Sequence, residues 1–238
     1  MLVNDLVKDI TPSELEGLKV TFINMPLRES ALPNTPPEGP LILAAILRKF
    51  GAETHLIDLN AYRITDDNAS RRGLPNGRHL SYSEAEQMFL KHLNNVGDQD
   101  IVAFSGKITT LRWQEEMAQI VRKHQPDTFI VSGNGLATEI RMGLFNWIPE
   151  LDGIARSEGD DAILIIARDA KLIKERGWAG AINSGKLSPF YKGEVNGRHR
   201  FMYEGNRPSN LDEIPYGALD LLESDPYGHN VLEDYINV

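Results

Sequence analysis

Residues 100–138 read DIVAFSGKITTLRWQEEMAQIVRKHQPDTFIVSGNGLAT, and this stretch decides the fold. Asp100–Ser105 is a short apolar run of strand type, Leu111–His124 a helix, and Thr128–Ser132 a second strand of the same kind. A strand, a helix and a strand joined by short links form a right-handed crossover between parallel strands. Each strand ends in a loop of glycine and hydroxyl residues, Ser105–Thr110 and Ser132–Thr138.

Working outward, the alternation continues on both sides. Leu18–Asn24 (LKVTFIN) predicts a buried first strand. Met25–Pro40 then holds five prolines in sixteen residues, which makes a stiff loop and excludes a helix or a central strand. A helix apolar almost all round follows from Leu41 and stops at Gly51. Glu53–Leu59 predicts a strand, Asn60–Leu80 a polar loop, and Ser83 with Glu86 a capping box for a helix to about Asn95. On the other side, Glu139–Trp147 predicts a short helix, Gly153–Ala155 a strand, and Asp160 to about Arg176 a helix. Gly180–Ile182 is expected to close the sheet. From Phe190 the pattern becomes a hairpin turned at Asn196-Gly197, and the acidic, proline-bearing remainder reads as a connector that packs on something else. The fold class is therefore α/β, a doubly wound, Rossmann-like or flavodoxin-like parallel sheet of about five strands with flanking helices, plus a C-terminal hairpin and connector. The expected division is an extension over 1–17, the sheet domain over 18–182, and hairpin and connector over 183–238.

Composition narrows the chemistry. The chain has 238 residues, a net charge of −9 and no cysteine. An acidic surface argues against a nucleic-acid partner, which calls for a basic stripe. The absence of cysteine removes disulfides, thiolate catalysis and cysteine-held clusters from this chain. No apolar run reaches membrane-spanning length and the N-terminus lacks signal-peptide character, so the expected location is cytoplasmic with no membrane partner.

In a sheet of this type, ligands bind outside the carboxyl ends of the strands. Three loops there stand out. Ser105, Gly106, Thr109 and Thr110 leave room and offer hydrogen bonds to a ligand, or they start a helix with Thr109 or Thr110 as cap. Gly133, Asn134 and Gly135 let the backbone approach a ligand, or they make a plain strand-to-helix turn; Thr138 occupies the third glycine position of a dinucleotide fingerprint. Ser157, Glu158, Gly159 and Asp160 begin a helix, with acids at the positive end of its dipole.

Taken together and in order, these segments resemble the cobalamin-binding domain of cobalamin-dependent radical SAM enzymes. DIVAFSGKITT resembles the strand and Ser-Gly-x-x-Thr-like loop of the methionine synthase type, and GNGLAT its glycine pair, split here by Asn134. PPEGPLILAAILRKFGAETHLIDLN (36–60) resembles the opening of the radical SAM version. SEGDDAI (157–163) resembles its Gly-Glu-Gly-Glu segment, with Ser157 in place of the first glycine and Asp160 of the last acid. LDEIPYGALDLL (211–222) resembles the connector to the catalytic barrel. The resemblance spans Leu18–Leu222. It implies cobalamin as cofactor, its nucleotide tail threaded between sheet and helix, with Ser105 and Thr109 bonding the tail and Gly133 and Gly135 letting it pass. Gly106, Thr110, Asn134, Glu158 and Gly159 complete the implied binding set, with no catalytic residue and no metal ligand.

Two departures from the family pattern matter. The methionine synthase type carries a cobalt-ligating histidine after the first strand, and no histidine lies between Met25 and Phe50. Leu27–Thr35 is where the lower face of the cobalt is expected, while His55 reads as structural and His79 as solvated. The three-cysteine motif of the radical SAM half is also absent. S-adenosylmethionine and a 4Fe-4S cluster thus belong to a catalytic domain, in cis or in trans, outside this chain, and the implied activity is methyl transfer from methylcobalamin. The alternative is a scaffold or interaction domain that keeps the fold and has lost the cofactor. A flavin- or nucleotide-binding flavodoxin-like protein ranks last, because prolines stand where its phosphate loop would be.

Overall fold

The computed structural model describes residues 10–27, 36–62, 66–71, 73, 80–195, 197–208 and 210–236. Seven strands form one sheet: β1 (Lys19–Asn24), β2 (Glu53–Asp58), β3 (Ile101–Ser105), β4 (Phe129–Gly133), β5 (Gly153–Ser157), β6 (Tyr191–Val195) and β7 (Arg198–Gly205). Their order is β2-β1-β3-β4-β5-β7-β6. All pairs are parallel except the β6–β7 hairpin. The first five strands run 2-1-3-4-5, the flavodoxin-like winding whose direction reverses between β1 and β3. The sequence reading of the fold class holds.

The helices are α1 (Glu38–Lys49), α2 (Asp66–Arg71), α3 (Tyr82–Val96), α4 (Leu111–His124), α5 (Gly135–Ile140), α6 (Leu144–Trp147), α7 (Gly159–Asn183) and α8 (Val231–Ile236). Strand residues alternate between two cores, as the period of two requires. Val20, Phe22, Ala103, Phe129 and Val131 face α1 and α7, while Ile23, Val102, Phe104 and Ile130 face α3, α4, α5 and α6. Ile10 and Leu15 are fully buried in the first of these cores.

Several boundaries differ from expectation. Gly180–Ile182 is not a strand: α7 breaks at Gly177 (φ 66°, ψ 164°) and resumes as helix to Asn183. The place beside β5 goes to β7, whose residues Phe201–Gly205 pair with Gly153–Ser157 and bury Phe201 and Tyr203 against α7. Three residues offer no comparable apolar area. The capping box of α3 is Ser81 with Glu84 rather than Ser83 with Glu86. Both pairs have the right spacing, but Glu86 is engaged by Lys123 and His124 of α4, at 2.8 and 2.6 Å. The helix expected over Glu139–Trp147 starts at Gly135 and is interrupted at Arg141 (φ 54°), so it becomes two short pieces. The connector packs on its own domain. Ala218 N–H donates to the Leu41 carbonyl at 3.0 Å, Arg48 holds Asp220 at 2.8 Å, and Tyr235 of α8 donates to the buried carboxylate of Asp58 at the end of β2. The hairpin forms as expected, with Gly197 at φ 74°; Asn196 lies outside the described residues.

Candidate functional site

The crossover helices after β3 and β4 lie on the α3/α4 side of the sheet, so only α1 and α7 roof the other face there. Where the N-termini of those two helices part, a cavity of about 310 Å³ opens at the carboxyl ends of β1, β3, β4 and β5. Its floor is Phe22, Ala103, Ser105, Val131, Gly133 and Ala155. Phe22 pairs with Ala103 and Ala103 with Val131; one step along the strands, Ser105 pairs with Gly133. Small side chains at Ala103, Gly133 and Ala155 leave the space open, and Ile42, Leu43, Ile163 and Ile166 wall it from the helices. A cavity of this size is at the lower end of those that hold organic ligands, which run from about 300 to 1,000 Å³.

Of the residues expected at the site, the structure brings Ser105, Gly133, Asn134, Glu158 and Gly159 into this lining. Gly106, Thr109, Thr110 and Gly135 lie outside it. Thr109 is exposed, and Thr110 is buried in its own turn, its hydroxyl donating to the Lys107 carbonyl at 2.9 Å. Gly135 opens α5. Gly106 is a glycine for packing, since a Cβ there would sit 2.0 Å from Nε2 of the buried Gln114. That amide is fixed by Ser132, whose hydroxyl donates to Gln114 Oε1 at 2.6 Å. Gly106→Ala is therefore expected to destabilise the fold by about 1–3 kcal/mol through overpacking and disturbed buried hydrogen bonds, as read by urea denaturation.

The strained backbone sits at the mouth, and on residues other than glycine. Asn134 has φ 75° and ψ −168°, a region used almost only by glycine, and Ser157 has φ 64°. Thr138, at the would-be third glycine position, holds both: its hydroxyl donates to the Asn134 carbonyl at 3.2 Å and accepts from the Ser157 N–H at 3.2 Å. Where the resemblance places a glycine, Ser157 adopts the backbone that glycine favours.

The start of α7 is acidic. Glu158 and Asp160 line the cavity, and the adjacent Asp161 is 1% exposed with Oδ2 unpartnered. Burial, and secondarily the charge of Asp160, raise the Asp161 carboxyl to about 6. A carboxyl raised in the folded state binds its proton more tightly there than in the unfolded chain. Its contribution to stability is thus fullest at low pH and declines as pH rises from about 4 to about 6. Asp161→Asn removes the buried charge and is expected to stabilise the protein at pH 7 by about 1 kcal/mol, a gain that fades towards pH 4. Denaturation midpoints of the two proteins across that range check it.

The loop after β1 is described only at its ends. Leu27 N–H donates to Asn60 Oδ1 at 2.9 Å, and Asn60 N–H to Asp58 Oδ1 at 3.1 Å, which ties the loop's start to the end of β2. Residues 28–35 and His79 lie outside the described residues. His55 sits in β2 beside Glu53, and burial lowers its pKa. Among the described residues, no cluster of side chains suited to a metal ion occurs, and no helix is long and apolar enough to cross a membrane.

The motif reading missed Ala103, Ala155 and Gly39, which line the cavity. Alternation along β3 would have found Ala103, two residues before Ser105 on the same face.

No family model and no curated protein matches the chain. Among solved structures, it is similar to the cobalamin-dependent S-adenosylmethionine radical enzyme OxsB with aqua-cobalamin and S-adenosylmethionine bound. The TM-score is 0.62 at 19% identity, over 92% of this chain and 26% of that one. The chain thus spans about a quarter of that enzyme's length and shares the fold of that part.

Proposed function

We propose that the chain is a cobalamin-binding module and that the cavity between the sheet and helices α1 and α7 receives the nucleotide tail of the corrinoid. The observation that carries this reading is the open, small-residue slot at the strand ends, reached from the mouth at Ser105, Asn134 and Glu158. A slot plugged by bulky side chains would have left only a likeness of fold. Apolar walls suit the benzimidazole base, and the few polar groups at the mouth suit its nitrogen and ribose. The remainder of the implied set, Gly106, Thr109, Thr110 and Gly135, acts through the shape of the loops.

Ser105 would donate a hydrogen bond to the tail, Gly133 and Ala155 would let it lie against the sheet, and Glu158 would accept from a sugar hydroxyl. When bound, cobalamin supplies a cobalt that can carry and deliver a methyl group. No histidine of the loop after β1 ligates it. This chain's residues hold and shield the cofactor and leave its reactive face to a catalytic domain. That domain, in cis or in trans, would carry the 4Fe-4S cluster and S-adenosylmethionine, since this chain has no cysteine. The similarity to OxsB over a quarter of its length is in keeping with such an arrangement.

Anaerobic reconstitution with hydroxocobalamin tests the reading. A corrinoid spectrum that co-elutes with the folded protein in stoichiometric amount is expected. Folded protein that retains no absorbance would leave the scaffold alternative.

A further inference from the structure

Strand β6 ends the sheet, and among the described residues no further strand pairs with its free side. Val195 and Arg198 close the two-residue turn of the hairpin, with Gly193 opposite Arg200 and Tyr191 opposite Met202. The pair that closes such a turn is hydrogen-bonded, and bonded and non-bonded pairs alternate along an antiparallel ladder. Tyr191, Gly193 and Val195 therefore direct their backbone groups to β7. The N–H and C=O of Lys192 and Glu194 point away from the sheet, and both residues are exposed. An open edge of this kind is a template for another strand.

The residues along the edge, YKGEV, select that strand. Laid antiparallel on a second copy about a two-fold axis at Gly193, they set Lys192 opposite Glu194, Glu194 opposite Lys192 and Tyr191 opposite Val195. Lys192 and Glu194 carry the outward backbone groups, so both of their pairs are hydrogen-bonded ones. An axis at Lys192 or at Glu194 would also satisfy the backbone, but it sets lysine on lysine or glutamate on glutamate, which is destabilising. Gly193 suits the axis in a second way. It is not among the glycines of positive φ, so its backbone does not require glycine. A Cβ there would sit 2.7 Å from the ring of Tyr191, which lies across it. Tyr191 is 46% exposed, and in the pair its ring and that of the second copy would cover the two glycines from one face.

We infer that β6 is a self-complementary edge through which two copies of this chain join, β6 antiparallel to β6, in a two-fold dimer with one sheet running through both. Nothing in this pairing depends on bound cobalamin. Because the joined strands are antiparallel, the two slots open at opposite ends of the shared sheet.

Sedimentation velocity of the whole chain from about 1 to about 100 µM is expected to show a monomer–dimer equilibrium with a Kd on the order of 10 µM, as suits a small interface. Glu194→Lys sets lysine against lysine in both pairs, and Lys192→Glu sets glutamate against glutamate. Each variant alone is expected to dimerise at least about tenfold more weakly. Mixed in equal amounts, the two restore opposite charges in both pairs, and a heterodimer within about threefold of the wild-type affinity is expected. Both variant chains remain net negative, so general attraction between them cannot supply that result. Amide exchange of the wild type gives a second measurement should a variant not fold. The Lys192 and Glu194 amides are expected to slow as the chain is concentrated, while exposed amides elsewhere do not. A wild type that stays monomeric over this range, a dimer that both variants keep, or a mixture that stays monomeric overturns the inference. So does exchange at Lys192 and Glu194 that is independent of concentration.

Discussion

Gly133→Leu is expected to lower cobalamin affinity at least about 100-fold while leaving the fold intact, as read by spectral titration beside circular dichroism. The position is unusual in allowing the two effects to be separated. A Cβ at Gly133 would lie 3.8 Å from the Cβ of Ala155, an ordinary contact, so the first carbon of the new side chain meets no obstacle. Gly133 is also not among the residues of positive φ, so a side chain brings no backbone strain. The remaining carbons project from the floor of the cavity, between Ser105 and Ala155, into the space proposed for the tail. An overpacking cost of about 3 kcal/mol felt only in the complex corresponds to that loss. Cobinamide binding, which needs no slot, should change little. Equal losses for both corrinoids would place the tail elsewhere.

The second large effect concerns stability. Asp152→Ala is expected to destabilise the protein by about 3–5 kcal/mol, the usual cost of removing one partner from a buried ionic cluster. Asp152 is 1% exposed at the start of β5, where its Oδ2 accepts from Arg122 at 2.6 Å and from the Ile130 N–H at 2.9 Å. Arg198 lies 3.4 Å and Arg200 4.0 Å from its Oδ1. Arg200, also 1% exposed, donates to the Pro149 carbonyl at 2.6 Å and lies over the ring of Phe145. Without the carboxylate, Arg122 and Arg200 would lose their nearest counter-charge. The cluster joins α4, the loop before β5 and strand β7, so the hairpin should loosen first. Denaturant unfolding gives the magnitude, and faster amide exchange in Arg198–Gly205 than in β1 would locate it. A uniform effect on the whole sheet would mean that the hairpin is not separately anchored.

Much of the fold was legible because the signals are local. Short apolar runs such as IVAFS and FIVSG, separated by a helical pattern, point to parallel crossovers from local signals alone. The hairpin at Asn196-Gly197 likewise follows from its turn residues. What failed were choices between local options of equal quality. Ser81 and Ser83 both precede a glutamate by three residues, and Gly180–Ile182 carries apolar residues that suit strand or helix. Contacts made from elsewhere in the chain decided each: Glu86 with α4, and β7 beside β5.

The candidate site divides the same way. The sequence by itself determined that small and hydroxyl residues end β3, β4 and β5, and that no cysteine is present to hold a cluster. Only the tertiary structure decided which of those residues share one cavity. Gly106 follows β3 and Gly133 ends β4, and the two look alike in the chain, yet the amide of Gln114 fills the space beside the first, whereas a side chain on the second would meet only an ordinary contact with Ala155. The role of a glycine depends on what its missing side chain leaves room for, and that neighbour arrives through the packing of helices on a sheet, beyond the reach of any local pattern.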